Sequence, residues 1–283
     1  MTESMLAPAK LNLCLLLGGV RDDGLHEICS LFQPLELADR LTVAESESDH
    51  DEVLCPGVDG PNLAVAAFEA LRDAGWSRPP LRVEIEKRIP VAAGLGGGSA
   101  DAAAILRLAA GEVGGLEAIA AGLGADVTSQ LRPGCALVRG AGELVEALPD
   151  PARFGVVLVP FAEGLSAAEV YAEADRLGIA RRAEELERGA ASIRTASTAG
   201  RSPLEFPELI DNDLQAAAIS LRPEIEVGLE ALEAAGAALS LISGSGPTAV
   251  GLFGDEAEAT AAAERVRQSH PDAIVSAAAR AAG

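Results

Sequence analysis

The sequence predicts an α+β protein with two domains, and three observations support this prediction. Segments with helical and strand periodicity alternate along the whole chain, as they do in mixed folds. A Pro-Asp-Pro segment at residues 149–151 marks a change in the sequence, and a predicted buried strand after it begins a second section. The 283 residues are 49% hydrophobic but only 3% aromatic, which indicates cores filled by small aliphatic side chains. We therefore expect an N-terminal domain over residues 1–150 and a C-terminal domain over residues 151–283.

The first section alternates strands and helices. Strands are predicted where apolar residues form a continuous run or alternate with polar ones, at residues 10–17, 27–37, 39–44 and 81–87. Helices are predicted where apolar residues recur every three or four positions, at residues 62–74, 100–110 and 116–122. Asn62 is placed to cap the first of these helices, and the acidic run 45–52 is expected to be a solvated loop.

The second section repeats this alternation without an internal sequence repeat. Strands are predicted at residues 154–159, 238–242 and 249–253. Helices are predicted at residues 166–177, 181–188, 212–221, 224–235 and 256–268. A segment rich in Ser, Thr and Gly at residues 192–202 is expected to be an irregular connector.

The charge of the chain restricts its partners. A formal net charge of −21 argues against nucleic acid or an anionic membrane as the partner, because both select basic patches. An anionic substrate would have to be held locally, by backbone N–H groups and a few cations. The four cysteines show no metal-binding spacing, no apolar run is long enough to span a membrane, and no signal-peptide pattern is visible. We therefore expect a cytoplasmic protein that acts on a small molecule.

A glycine-rich segment that begins after Pro90 is the strongest functional motif. Gly94 and the three glycines at 96–98 precede Ser99 and an alanine-rich helix. Glycines adopt positive φ and allow close approach of a ligand, so that consecutive N–H groups can point into one space. We expect Ser99 to cap the helix, whose first N–H groups have no acceptor and carry partial positive charge. A loop of this kind predicts a phosphate-binding site.

Comparison with known motifs narrows the class of this loop. A Walker loop needs a lysine between the last glycine and Ser99, and the dinucleotide-binding motif needs a glycine where Ser99 stands. The protein-kinase motifs are absent, and Asp101 replaces the second glycine of a serine-hydrolase elbow. The loop therefore belongs to a different class of phosphate-binding loop.

Three other segments carry candidate site residues. Lys10 and Asn12 share one face of a predicted strand, although a solvent-exposed strand edge would also explain the lysine. Asp126 lies in a glycine-flanked turn, where an isolated aspartate is more often a cap. A second small-residue loop, Ser-Gly-Ser-Gly at 243–246, lies between two predicted strands and is by itself consistent with a tight turn.

Together these four segments resemble the GHMP kinase superfamily, whose three motifs they match in order along most of the chain. The resemblance implies a ribosomal protein S5 domain 2-like N-terminal domain and a ferredoxin-like C-terminal domain. Within the superfamily, the chain is most similar to the kinases that act on 4-diphosphocytidyl-2-C-methyl-D-erythritol. The segments that carry this similarity are residues 8–13, 21–26, 31–33, 94–103, 124–126 and 212–214.

The resemblance implies ATP-dependent phosphorylation of the methylerythritol 2-hydroxyl in the non-mevalonate isoprenoid pathway. Asp126 matches the catalytic base, and Lys10 matches the partner that orients it and stabilises charge. Phosphoryl transfer depends mostly on such positioning and electrostatics. The residues that match the ATP-binding loop are Pro90, Gly94, Leu95, Gly96, Gly97, Gly98, Ser99 and Ala100, with Ser99 near Mg²⁺.

The same resemblance assigns the acceptor side of the site. Asn12 would hydrogen-bond the methylerythritol end, and His26 would read the cytosine, with Phe32 or Tyr171 over the base. The loop that would close over the substrate diphosphate consists of Ser243, Gly244, Ser245 and Gly246. Asp126 also belongs to this acceptor side, because it faces the hydroxyl that reacts. We expect a monomer or a weak homodimer.

Two departures from the family pattern leave alternatives open. Leu25 replaces a tyrosine that stacks on the base, and Thr-Ser-Gln at 128–130 replaces Pro-Phe-Phe. The loss of a stacking aromatic weakens base binding by about 1–3 kcal/mol. Another GHMP kinase, acting on mevalonate, homoserine or a sugar, is the first alternative. The second is a non-catalytic nucleotide-binding protein, which would be expected to lack Lys10 or Asp126, yet the chain has both.

Overall fold

The computed structural model describes residues 2–58, 60–198 and 200–280, and it divides into two compact units built from discontinuous segments. The first unit comprises the residues up to Ala9, Leu37–Val91 and Gly96–Pro133. The second comprises Lys10–Glu36, Ala92–Leu95 and the chain from Gly134 onward. Helices and mainly antiparallel sheets occur in both, which confirms the α+β prediction. The domain boundary near residue 150 stays a prediction.

Among the described residues of the first unit, four α-helices pack with a sheet in one hydrophobic core. Its strands are β1 (Glu3–Val20) and β2 (His26–Glu45), both of which continue into the second unit, together with β3 (Glu52–Leu54) and β4 (Leu81–Glu86). The second half of β2 pairs antiparallel with β4, and β3 runs parallel to β4. The helices are α1 (Leu63–Asp73), α2 (Gly97–Leu108), α3 (Leu116–Leu123) and α4 (Ala125–Gln130).

Local sequence explains these elements well. Buried and exposed residues alternate strictly along β4, so that one face of the strand joins the core. The side chain of Asn62 accepts a hydrogen bond of 2.9 Å from the Ala64 amide and so caps α1, as predicted. The alanines of α2 are buried against α1, because small side chains allow two helices to approach closely.

An ion pair fastens the loop before β4. The Arg72 guanidinium donates to both carboxylate oxygens of Asp51, at 2.7 and 2.8 Å. It also lies 4.7 Å from the Trp76 ring centroid and donates to the Trp76 carbonyl at 2.9 Å. Burial alone would raise the pKa of Asp51, but the bonds from Arg72 and from the Leu81 amide outweigh it and lower this pKa.

Replacing Asp51 by Asn is therefore expected to destabilise the protein at neutral pH. The amide keeps the bond from Leu81 but puts an NH₂ group against the guanidinium, at a cost of about 1–3 kcal/mol of unfolding free energy. Because the pKa of Asp51 is lowered on folding, its contribution is present above the ordinary pKa of about 3.9 and is lost as pH falls through the lower folded value. Denaturant melts from pH 7 to pH 3 test this.

The matched control is Glu117→Gln, which removes the exposed ion pair between Glu117 and Arg132. Exposed pairs contribute little to stability, so no measurable change is expected. A deficit of the Asp51→Asn protein that stayed constant from pH 7 to pH 3 would contradict the linkage.

The second unit contains a four-stranded antiparallel sheet and a smaller set of strands around the first half of β2. The smaller set consists of β5 (Ala136–Gly140), which pairs with β2, and β6 (Leu144–Ala147), which pairs with β5. The four-stranded sheet has the order β10-β7-β9-β8. Its strands are β7 (Gly155–Val159), β8 (Leu239–Ile242), β9 (Ala249–Phe253) and β10 (Ile274–Ala277).

In the described part of the second unit, five α-helices accompany these strands. They are α5 (Ala167–Leu177), α6 (Ala183–Ser197), α7 (Gln215–Leu221), α8 (Glu224–Ala234) and α9 (Glu256–Val266). The apolar faces of α8 and α9 cover β7 and β9 and form one hydrophobic core with them. Among the described residues, no helix combines the length and apolar character needed to cross a bilayer.

The structure corrects four details of the predicted elements. Residues 27–37 and 39–44 form the single strand β2, because Ala38 and Asp39 continue it as buried residues. Helix α6 extends to Ser197, into the predicted connector, because Ile193 and Ala196 continue its buried face. Helix α2 begins three residues earlier than predicted. The strands β3, β5, β6 and β10 were not predicted.

Candidate active site

The glycine-rich loop ends in the N-terminus of α2. Gly94 and Gly96 have φ values of +74° and +70°, a region that only glycine enters readily. The expected cap role of Ser99 is wrong, since Gly96 is the N-cap residue and no side chain caps the helix. The first intrahelical bond runs from the Ala100 amide to the Gly96 carbonyl, at 2.9 Å.

The amides before Ala100 are available to a ligand. Those of Gly97, Gly98 and Ser99 have no acceptor among the described residues. They belong to the first turn of a twelve-residue helix, where the partial positive charge of the helix is concentrated. This arrangement can bind an anion without a basic side chain.

A buried charge cluster supports the start of α2 within the first unit. Lys87 donates to Asp101 at 2.8 Å and also to Asp39. Asp39 in turn accepts from the amides of Arg88 and Ile89, at 2.6 and 2.9 Å. Burial raises the pKa of Asp101 to about 6, although Lys87 opposes this. The cluster fixes the end of β4 to the first turns of α2.

The second unit places Lys10 and Asn12 on one face of β1, as their two-residue spacing predicts. The Lys10 ammonium donates to Asn12 Oδ1 at 2.6 Å and lies 4.8 Å from the Phe32 ring centroid. Lys10 is only 6% exposed, which excludes the solvent-exposed strand edge. Asn12 Nδ2 donates to Ser30, whose hydroxyl donates to the Cys14 carbonyl. This chain of bonds fixes which end of the Asn12 amide faces the lysine.

The Ser-Gly-Ser-Gly loop at 243–246 contacts both Lys10 and the first part of the glycine-rich loop. The Ser243 hydroxyl donates to the Gly94 carbonyl at 3.0 Å. A Cβ atom placed on Gly244 would lie 3.3 Å from both Lys10 Nζ and Asn12 Oδ1. The second unit thus brings Lys10, Asn12, Gly94 and this loop together.

The loop also offers N–H groups to a ligand. Its own turn uses two amides, since Gly246 N–H donates to the Ser243 carbonyl at 2.9 Å and Ser243 N–H to the Thr248 carbonyl at 3.2 Å. The amides of Gly244 and Ser245 have no acceptor among the described residues. Gly244 has φ +58° and Gly246 φ +81°, the kind of backbone that forms anion-binding concavities.

Gly94→Ala is expected to reduce turnover about tenfold or more. The left-handed conformation alone costs an alanine about 1–2 kcal/mol. A Cβ there would also collide with the Ser243 carbonyl and lie 2.8 Å from the Gly246 carbonyl oxygen. Initial rates and thermal melts measure the effect. Gly122→Ala is the control, because a Cβ at Gly122 meets nothing within 4 Å. Equal activity of the two variants would contradict this account.

Asp126 belongs to the first unit. It lies in the first turn of α4 and is half-buried, and its carbonyl accepts a hydrogen bond from Ser129 at 2.9 Å. Helix α4 packs against α2, the helix that follows the glycine-rich loop. The predicted glycine-flanked turn is therefore a helix start, with Gly124 as the N-cap residue.

His26 forms a small polar cluster in the second unit. Its Nε2 atom lies 2.9 Å from Asp175 Oδ1, and its ring centroid lies 5.0 Å from that of Tyr171. Leu25 beside it is 55% exposed. Phe32, one of the two aromatic residues expected over the base, is buried with Ala136 and Val138 and has Lys10 over its ring. Tyr171 is therefore the aromatic residue that contacts His26.

Comparison with known proteins assigns the family. The family model described as the GHMP kinases N terminal domain matches residues 62–130, and the model described as GHMP kinases C terminal matches residues 191–272. A 4-diphosphocytidyl-2-C-methyl-D-erythritol kinase of Anaeromyxobacter dehalogenans is 39% identical over 91% of this chain and 83% of its own length. A second, of Pelotomaculum thermopropionicum, is 37% identical over 97% of each chain.

The chain belongs to the GHMP kinase family. A solved structure described as 4-(cytidine 5'-diphospho)-2C-methyl-D-erythritol kinase covers 99% of this chain and all of its own, with 35% identity and a TM-score of 0.79. The predicted GHMP kinase fold is thereby confirmed.

Several residues around the candidate site were not predicted from the sequence. One group is the buried cluster of Asp39, Lys87 and Asp101. The sequence feature that could have indicated it is the single aspartate in the alanine-rich start of α2, because a buried charge needs a partner. Asp175, the partner of His26, lies in no sequence motif that would have indicated this contact. In the described part of the chain, no group of three or more His, Cys, Asp or Glu side chains is arranged to hold a metal.

Proposed function

We propose that this kinase transfers the γ-phosphoryl group of ATP to the 2-hydroxyl of 4-diphosphocytidyl-2-C-methyl-D-erythritol, a step of the non-mevalonate isoprenoid pathway. The name and near-complete coverage of the relatives support this substrate. The structural observation that carries the proposal is the grouping of Lys10, Asn12 and a loop with two available amides, in a chain of net charge −21. Such a chain needs local donors for a diphosphate.

The ATP phosphates are assigned to the amides at the start of α2. Gly97, Gly98 and Ser99 present N–H groups that have no acceptor among the described residues, in the first turn of α2. Mg²⁺, when bound, would neutralise phosphate charge. Magnesium is commonly held by phosphate oxygens and water with few protein ligands. The Ser99 hydroxyl in this first turn would therefore suffice as the one protein ligand.

Each polar residue on the acceptor side has one task. Asp126 accepts the proton of the 2-hydroxyl as the oxygen attacks phosphorus. Lys10 stabilises negative charge on the phosphoryl oxygens, and Asn12 orients the methylerythritol end. The amides of Gly244 and Ser245 hold the diphosphate. His26 and Tyr171 contact the cytosine. Phe32 stays a predicted substrate-binding residue, and its ring lies beside the Lys10 ammonium.

A substrate panel tests this function. The acceptors are 4-diphosphocytidyl-2-C-methyl-D-erythritol, mevalonate, homoserine and galactose, with ATP as donor and ADP release as the readout. We expect kcat/KM for the cytidyl acceptor to exceed the others by at least about a hundredfold. Preferential turnover of any other acceptor would replace the proposal with the alternative GHMP kinase. The oligomeric state and a cytoplasmic location stay predictions.

A further inference from the structure

Asn212 is a buried polar residue with no place in the proposed chemistry. It is 4% exposed and lies in the segment that precedes α7. Its Nδ2 group donates to two carbonyls, those of Ile242 at 2.9 Å and Gly244 at 2.8 Å. Its Oδ1 accepts from the Leu214 amide at 2.9 Å. Both amide hydrogens are therefore committed to the Ser-Gly-Ser-Gly loop and the strand that leads into it.

The backbone around Asn212 is tied to the strand that carries Lys10. The Leu15 amide donates to the Asp211 carbonyl at 2.8 Å, and the Asp213 amide donates to the Leu15 carbonyl at 2.9 Å. Leu15 lies on β1, as do Lys10 and Asn12. Asn212 thus links β1 to the loop through one rigid side chain. Both attachments lie within the second unit.

The loop residue that Asn212 holds also lies beside the lysine. Gly244 accepts from Asn212 through its carbonyl, and the space beside its Cα is bounded by Lys10 Nζ and Asn12 Oδ1, each 3.3 Å from an ideal Cβ position. A rotation of the Gly244 peptide would turn the neighbouring amide of Ser245 as well, because each peptide unit is planar. The orientation of the available amides therefore depends on the Asn212 bond.

We propose that Asn212 is a positioning residue that holds the 243–246 loop at a fixed distance from Lys10 and Asn12 and so sets the affinity for the diphosphate of the acceptor. This inference rests on the proposed function, because it takes the loop amides as the diphosphate ligands. The amides assigned to ATP lie at the start of α2, in the other unit. Asn212 bonds to none of these amides, so the loss of its bonds is expected to act first on the acceptor, and an effect on ATP would have to pass through the Ser243–Gly94 bond.

Two substitutions remove these bonds in different ways. Asn212→Asp keeps the shape but sets a carboxylate oxygen against two carbonyl oxygens, which repel it. Asn212→Ala removes the donors without adding charge. Gln215→Ala is the matched control, because Gln215 accepts from the Ile242 amide at 3.0 Å and so supports the same strand end without bonding to the loop.

The test is the KM for each substrate, measured with the full-length enzyme beside a thermal melt. We expect both Asn212 variants to raise the KM for the cytidyl acceptor about tenfold or more, with the KM for ATP within about twofold of wild type. Gln215→Ala is expected to lower the melting temperature comparably and to leave both KM values unchanged.

The outcomes separate this inference from the proposed function. A wild-type enzyme that does not use the cytidyl acceptor would refute the proposed function itself. With an active wild type, an unchanged acceptor KM in Asn212→Ala, or equal increases in both KM values, would overturn the positioning role. If neither Asn212 variant folds, Asn212 is a residue of structural stability and the inference is wrong.

Discussion

Asp126→Asn is expected to lower kcat by about 10²–10⁴-fold while ATP affinity stays within about twofold of wild type. An amide has the shape of the carboxylate but cannot accept the proton of the attacking hydroxyl. Asp126 lies in the first turn of α4, and an asparagine of the same shape keeps a side-chain oxygen that can accept hydrogen bonds there. The fold and the start of α2 should therefore survive, and only the chemical step should fail.

Single-turnover assays and calorimetric titration with ATP measure the two quantities separately. Glu117→Gln is the matched control, since Glu117 is also an acid in the first turn of a helix, α3. It is expected to retain full activity. Residual turnover of Asp126→Asn above a tenth of wild type would refute the assignment of Asp126 as the base.

Lys10→Met is expected to lower kcat by about 10²–10³-fold, the range for removal of one preorganised charge-stabilising donor. Methionine has a similar length and can lie over Phe32 as the lysine does, 4.8 Å from the ring centroid. The substitution thus removes the charge while it fills most of the same space. Because Lys10 is almost fully buried, solvent screens its charge little, and the loss should persist at high salt.

Initial rates in low and high salt, with a thermal melt of each protein, measure this effect. Lys10→Arg keeps the charge but carries a planar fork instead of a point charge, so it should restore activity only in part. A Lys10→Met enzyme with kcat within threefold of wild type would contradict the role given to this lysine.

Features set by local sequence were predicted correctly. Asn62 caps α1, and β4 follows its period-two pattern, because capping and side-chain alternation depend on neighbouring residues only. The position of the glycine-rich loop at the start of α2 was predictable for the same reason. The residue that caps α2 was not predictable, because the choice between Gly96 and Ser99 depends on the left-handed backbone of Gly96.

Features that depend on distant residues were not predicted. Asp39 and Lys87 are 48 positions apart, and no local pattern indicates that they meet. The contact of His26 with Asp175 spans 149 positions, and that of Ser243 with Gly94 also spans 149. The family resemblance supplied the candidate site residues, whereas the structure supplied the bonds that hold them in place.

The identity of the phosphorylated atom tests the central claim most directly. The wild-type enzyme is incubated with ATP and 4-diphosphocytidyl-2-C-methyl-D-erythritol, and the product is examined by phosphorus and carbon NMR. The proposed function predicts one new phosphomonoester, coupled to the tertiary carbon C2, and one equivalent of ADP. Phosphorylation at another hydroxyl, or ADP release without a new phosphomonoester, would contradict it.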